Sequence, residues 1–223
     1  MANKSYQQYC GIAAALDRVG DRWTLLILRE LSFGEQRFTD LRAALPGIAS
    51  NLLTDRLRDL EHAGLVEQRD LPPPAARTVY ALTRDGTRIR PVLKALAQFG
   101  LPFLGDPLEG QVPPKMAVHG TLGALFDPAG AAGHDLLLRF DLDGEELWLQ
   151  VRAGKLVRAD QDATPDLTFT GSAAALIQVC RGTTPLADTA PRLRVDGTRT
   201  ARKIFAQMFP ASAPASAGAA TGR

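Results

Sequence analysis

An α+β chain in two parts is what this sequence predicts: helices with one β-hairpin in front, and an antiparallel sheet covered by helices behind. Two observations carry that prediction. From Phe38 to Tyr80 apolar residues recur at helical spacing, stop at Gly64 and then alternate, whereas past a Pro- and Gly-rich stretch at 100–115 alternation comes first and helical spacing returns late. Length agrees, since 223 residues with 45% hydrophobic and 22% charged content can bury two cores. The expected division is 1–104, a linker at 105–119, a second domain at 120–210, and a disordered Ala-, Ser- and Pro-rich tail at 211–223.

Taken in order, Tyr9 to Val19 places Ile12, Leu16 and Val19 on one helical stripe broken by Gly20, and Trp23 to Leu31 forms a second apolar helix. Trp23 reads as a core anchor, because a Trp in an apolar helix pattern buries its large ring. Phe38 to Leu45 is a short amphipathic helix closed by the Pro46-Gly47 turn. In the helix from Ser50 to Ala63, steps of about 100° per residue put Leu53, Leu57 and Leu60 on one stripe. Asn51, Thr54, Asp55, Arg58 and His62 take the opposite one. Ala49 offers no capping oxygen, so Ser50 is expected to cap instead. Gly64 ends the helix, and Leu65, Val66 and Tyr80, Leu82 flank a hairpin tip at Pro72, Pro73 and Pro74. From Thr83 a long helix carries Ile89, Val92, Leu93, Leu96 and Phe99, with Pro91 placed to kink it.

Helix, tight turn, polar-faced helix and hairpin is the order of a winged helix-turn-helix. The plain alternative is a solvated amphipathic helix beside a surface hairpin. Side-chain chemistry favours nucleic acid: Asn, Thr and Arg on one helix face suit base edges in a major groove, and Arg69 and Arg77 on the hairpin suit phosphates or a minor groove. The candidate DNA-binding set is therefore Arg37, Ser50, Asn51, Thr54, Asp55, Arg58, Arg69 and Arg77. Over about residues 9–99 the chain also resembles the HxlR-type transcriptional regulators of bacteria. The marks are Cys10, Gly20-Asp21-Arg22-Trp23, Leu31, Gly34, Arg37-Phe38, Leu45-Pro46-Gly47-Ile48, Arg56-Leu57, Gly64-Leu65-Val66, Tyr80, Thr83 and Gly86. The resemblance implies a DNA-binding regulator that forms a homodimer through its first helix and the helix ending at Phe99, where the family commonly has Trp. It also implies that Cys10 occupies a position which in some members senses electrophiles or oxidants.

Beyond the linker, Leu136, Leu138, Phe140 and then Leu147, Leu149, Val151 alternate with other residues, and Asp143-Gly144 and Ala153-Gly154 punctuate the runs as an antiparallel meander. A strand at Asp166–Thr170, a helix from Ser172 to Arg181 stopped by Gly182, a strand at Leu193–Val195 into an Asp196-Gly197 turn, and a helix from Thr198 to Phe209 follow. This order from about 120 to 209 is similar to a sterol-carrier-protein type-2-like domain, which implies an apolar cavity for lipids or related molecules. The residues expected to line it are Phe140, Leu147, Leu149, Val151, Leu167, Phe169, Leu176, Ile177, Ile204 and Phe205.

Other classes find little support. Net charge is +2, with 14 Lys+Arg against 11 Asp+Glu in 1–105 and 12 against 13 in 106–223, so a nucleic-acid contact belongs to the front. No apolar run reaches a membrane span and Met1 to Tyr9 lacks a signal-peptide core, so a cytoplasmic protein without a membrane partner is expected. Cys10 and Cys180 have no metal-ligand spacing with His62, His119 or His134, and Asp141-Leu142-Asp143-Gly144 lacks the distal ligands of a calcium loop. No cofactor, metal or catalytic set is expected, and His134 beside Asp135 reads as a surface pair. Cys10 at a helix start is either a small packed residue or a thiol activated by the helix N-terminus, and Cys180, late in its helix, is expected to be inert. The reading is a dimeric regulator of double-stranded DNA with an apolar small-molecule effector. The competing classes are a ligand carrier whose winged helix only dimerises, and a redox-sensing regulator acting through Cys10.

Overall fold

Residues 5–72, 77–105, 115–160 and 163–210 are described by the computed structural model, so the hairpin tip at Pro73 and Pro74, most of the expected linker and the tail lie outside the described residues. The chain divides into two units, Met1–Leu96 and Ala97–Arg223.

The first unit runs α1 (Gly11–Val19), α2 (Thr24–Leu31), α3 (Phe38–Ala44), α4 (Ser50–His62), β1 (Val66–Leu71), β2 (Arg77–Leu82) and into α5 (Ile89–Gly100). Its core gathers Ile27, Leu28 and Leu31 from α2, Leu41 from α3, Leu53, Leu57 and Leu60 from α4, and Val66 and Leu82 from the hairpin. Trp23 lies just outside α2, at φ 78°, rather than within it as the periodicity suggested. Its ring is only partly buried at the edge of this core and points toward the α3–α4 turn, so the indole props that turn. Glu30 is a charge that patterning did not flag: it is buried in α2 and takes the Arg29 guanidinium (Nε to Oε1, 2.8 Å) as its partner, while burial pushes its carboxyl up against that attraction.

The hairpin pairs Val66 with Leu82 through Leu71 with Arg77, and Gln36 adds one rung by exchanging two backbone bonds with Tyr80 (2.9 and 2.7 Å). A clasp then holds the base of the wing. Thr83 donates from its amide to Leu65 O and from its hydroxyl to Gly64 O (2.6 Å), and Gly86 N–H donates to that hydroxyl. The helix expected from Thr83 starts later, because a 3-10 turn at Gly86–Arg88 precedes α5. Pro91 therefore stands in the first turn of α5, where its missing N–H removes no α-helical bond. α5 buries none of its residues: Val92, Leu96 and Phe99 are exposed, as are Ile12 and Leu16 of α1.

The second unit holds α6 (Lys115–Leu125), β3 (Leu136–Leu142), β4 (Glu145–Arg152), β5 (Lys155–Arg158), β6 (Leu167–Gly171), α7 (Ala173–Cys180), β7 (Leu193–Gly197) and α8 (Arg199–Met208). α6 begins inside the segment read as linker. Gly120 and Gly123 weaken its helical signature, although Val118, Leu122 and Leu125 do fall on one stripe. The division between units falls within α5, beyond which Gln98 donates to Ala124 O (2.9 Å) and Arg181 to Leu101 O (3.1 Å).

The sheet order is β5-β4-β3-β6-β7. The meander is present, its turns built with positive φ at Asp143, Gly144, Ala153 and Gly154. The sheet as a whole is mixed rather than antiparallel throughout, because β6 lies parallel to β3, Leu138 opposite Leu167. Alternation along one strand reports which face is buried but not which strand lies beside it, so the parallel pair carried no local signal. Asp196-Gly197, read as a turn, completes β7 instead. Ser172 caps α7 and Thr198 caps α8 by accepting the amides of Ala175 and Ala201.

Candidate nucleic-acid interface

α4 is aimed by the turn before it. Gly47 adopts φ 89°, a conformation that side chains disfavour, and Ala49 is the N-cap without a side-chain oxygen. Ser50 does not cap in its place: it is the first helical residue, and its hydroxyl accepts a bond from Arg42 Nη1 (3.2 Å). Arg42, exposed near the end of α3, was not among the candidate residues. Its signal was weak, since one Arg on a seven-residue helix has no periodicity to place it. Arg37 is the residue before α3, its amide donating to Asp40 Oδ2 (3.3 Å), and a guanidinium has no acceptor for capping, so its side chain stays exposed.

With Leu53, Leu57 and Leu60 buried, Ser50, Asn51, Asp55 and Arg58 are exposed along the opposite stripe, and Thr54 is half-buried. The Thr54 hydroxyl donates back to Ser50 O (3.0 Å), which leaves it an acceptor toward solvent. Arg56 belongs to the support: it reaches Asp59 and also Asp21 (3.0 Å) with its side chain largely covered. Arg58 lies beside Tyr80. Burial and the Glu61 charge raise the Tyr80 phenol while the Arg58 charge opposes them. On the wing, Arg69 and Arg77 stand on one face of the hairpin, opposite Val79 and Leu71 respectively. Arg69 is not a free cation, because it donates to Glu67 Oε1 from Nε (2.8 Å) and Nη2. His62 ends α4, exposed.

Cys10 is exposed at the N-cap of α1, and the amides of Ala13 and then Ile12 lower its thiol pKa by stabilising the thiolate. Cys180 is buried in α7, and burial alone pushes its thiol up. Asp143 accepts the Ala173 amide (3.0 Å), tying the β3–β4 turn to α7.

Nine of the ten residues expected around a cavity belong to one continuous core or pack against it, and the tenth, Ile177, is buried without joining that cluster. Phe140, Leu149, Val151, Leu167, Phe169, Leu176, Ile177 and Phe205 are buried, and Leu147 and Ile204 pack against them partly buried. Phe140 and Phe169 stack at 5.0 Å, and Phe169 and Phe205 meet at 4.7 Å. No group of three or more His, Cys, Asp or Glu that could hold a metal occurs among the described residues, and none of their helices is long and apolar enough to cross a membrane.

Residues 18–106 match the family model for the HxlR-like helix-turn-helix. The chain is 34% identical over 93 residues to the uncharacterised HTH-type transcriptional regulator YvaP of Bacillus subtilis, covering 42% of this chain and 85% of that protein. It is 40% identical over 117 residues to an uncharacterised HTH-type transcriptional regulator of Mycobacterium tuberculosis H37Rv, 52% of this chain and 72% of that one. Among solved structures, the reduced form of the transcriptional regulator YodB from B. subtilis aligns with a TM-score of 0.39 at 30% identity, over 43% of this chain and 95% of that one. With the helix-turn-helix and its wing in place and relatives covered over most of their length, the chain belongs to the HxlR-like helix-turn-helix family of DNA-binding transcriptional regulators.

Proposed function

We propose that the protein binds specific double-stranded DNA sites as a homodimer, with α4 reading bases and the wing contacting phosphates. The observation that carries this reading is the exposed stripe of Ser50, Asn51, Asp55 and Arg58, with half-buried Thr54 among them, on a helix otherwise anchored by three buried leucines. The apolar residues of α1 and α5 left exposed among the described residues support the dimer, since two copies facing one another remove them from water. Two α4 helices about 34 Å apart then meet successive major grooves of an inverted repeat. Pulldown of sheared genomic DNA with purified protein tests it. Selective enrichment of fragments that share an inverted repeat supports the reading, and absent or uniform enrichment sinks it in favour of a carrier whose winged helix only dimerises.

We read the second unit as a sterol-carrier-like effector domain, on the order helix, three-strand meander, strand, helix, strand, helix. Such a domain regulates DNA binding only through different ligand affinity for competent and incompetent dimers. A second reading rests on Cys10, whose exposure and lowered thiol pKa are the two conditions for reactivity. There the thiolate adds to an electrophile and operator affinity changes. Cys10→Ser protein that still responds to the electrophile excludes it.

A further inference from the structure

Beside its packed aromatic rings the second unit has an opening along its outer strand. A groove of about 730 Å³ runs along β7 beside the 3-10 turn at Leu186–Asp188 and α8, with Leu186, Ala190, Pro191 and Leu193 as apolar walls and Arg194, Val195 and Arg202 completing the lining. Sites for small molecules span roughly 300–1,000 Å³, so its size is adequate. β7 is an outer strand, and its ladder decides which peptide groups face the groove. Arg192 O accepts from Ser172 N–H on the β6 side, so the antiparallel alternation turns Arg192 and Arg194 inward and Leu193 and Val195 outward. The outward Leu193 N–H donates to Thr189 O (3.1 Å), and the outward Val195 O accepts from Arg202 Nη2 (2.7 Å). At the groove the Val195 N–H has no partner among the described residues, and it stands beside the unused donors of a guanidinium already held on Val195 O.

Charge points the same way. Between 192 and 203 the chain carries Arg192, Arg194, Arg199, Arg202 and Lys203 against Asp196 alone, and Asp196 is engaged by Arg194 (2.8 Å). An apolar wall, an edge amide and a guanidinium with spare N–H groups suit a single oxyanion carried on an apolar body. A hydrophilic anion gains nothing from Leu186, Pro191 and Leu193, and a neutral chain of equal length gains nothing from Arg202.

We propose that this groove binds a small amphipathic carboxylate, its head on Arg202 and the Val195 amide and its tail along Leu186, Pro191 and Leu193. The site is independent of how α4 reads DNA, so it stands or falls without an operator. Calorimetric titration of the full chain, without DNA, compares sodium decanoate, decan-1-ol and inorganic phosphate. Decanoate should bind saturably at one per chain, decanol and phosphate each about tenfold more weakly or worse, the cost of one lost charge-assisted contact or of the tail. Arg202→Gln, checked for fold by circular dichroism, should reduce decanoate affinity to that of decanol, and Arg202→Lys should restore part of it. Equal binding of decanoate and decanol, undiminished decanoate binding in folded R202Q, or no binding of decanoate overturns the proposal. The wild-type comparison needs no variant and decides the matter even if R202Q does not fold.

Discussion

Arg58 and Arg77 differ in what they can report. Arg58 is an exposed cation on the polar stripe of α4, so Arg58→Ala should cost about 1–3 kcal/mol at the operator and relax preference at one base position. Arg77 sits on the wing, and Arg77→Ala should weaken all sequences alike and reduce the salt slope by about one. Fluorescence anisotropy over a salt series with operator and scrambled duplex separates the two effects. His119 gives a stability signature instead. Burial first and the Arg158 charge second hold its pKa down at about 4, below the ordinary 6.5. The unfolded chain therefore takes up the proton first as pH falls, so the contribution is intact above about pH 6.5 and lost progressively toward pH 4, by about 3 kcal/mol at most. Urea midpoints across that window should fall in wild type and fall less in His119→Gln.

α5 is the element whose sequence pattern and surroundings disagree most openly, for Val92, Leu96 and Phe99 of its apolar stripe stay exposed among the described residues. Leu96→Glu with Phe99→Glu should turn a dimer into a monomer and abolish specific DNA binding together, as read by light scattering and gel shift. A monomeric variant with full operator affinity would show that the stripe serves something else. The clasp at the base of the wing makes a contrasting prediction. A Cβ on Gly86 would stand 1.9 Å from Leu65 O, so Gly86→Ala should destabilise the first unit by about 1–3 kcal/mol or more in chemical denaturation. Thr83 and Gly86 were recognisable as family marks, but only the hydrogen bonds explain why those two residues are needed. Elements with amphipathic spacing were readable within a residue or two, α4, α7 and α8 among them. α6, carrying two glycines, and the short edge strand β5 were not, because each is held by the core it joins rather than by its own pattern.

Across the whole molecule, exposure along one helix and packing between distant elements are legible in the sequence to different degrees. Exposure follows from periodicity, which is why the α4 stripe was visible, whereas the size of a space depends on how side chains from distant elements meet. Phe140, Phe169 and Phe205 come from three different elements, and nothing local announces that their rings touch. Truncating the middle ring tests how much that packing contributes: Phe169→Ala should destabilise the second unit by about 3–5 kcal/mol in urea unfolding. The mixed sheet also constrains how this unit is assembled as the chain emerges from the ribosome. β3 finds β4 almost at once, but its other flank stays open until β6 has been synthesised, and the outer flank of β6 is covered only when β7 follows. A nascent chain halted after Arg158 therefore exposes the unpaired flank of its most apolar strand, the situation in which strands recruit other copies, and such stalled products should accumulate as aggregates rather than as dispersed fragments.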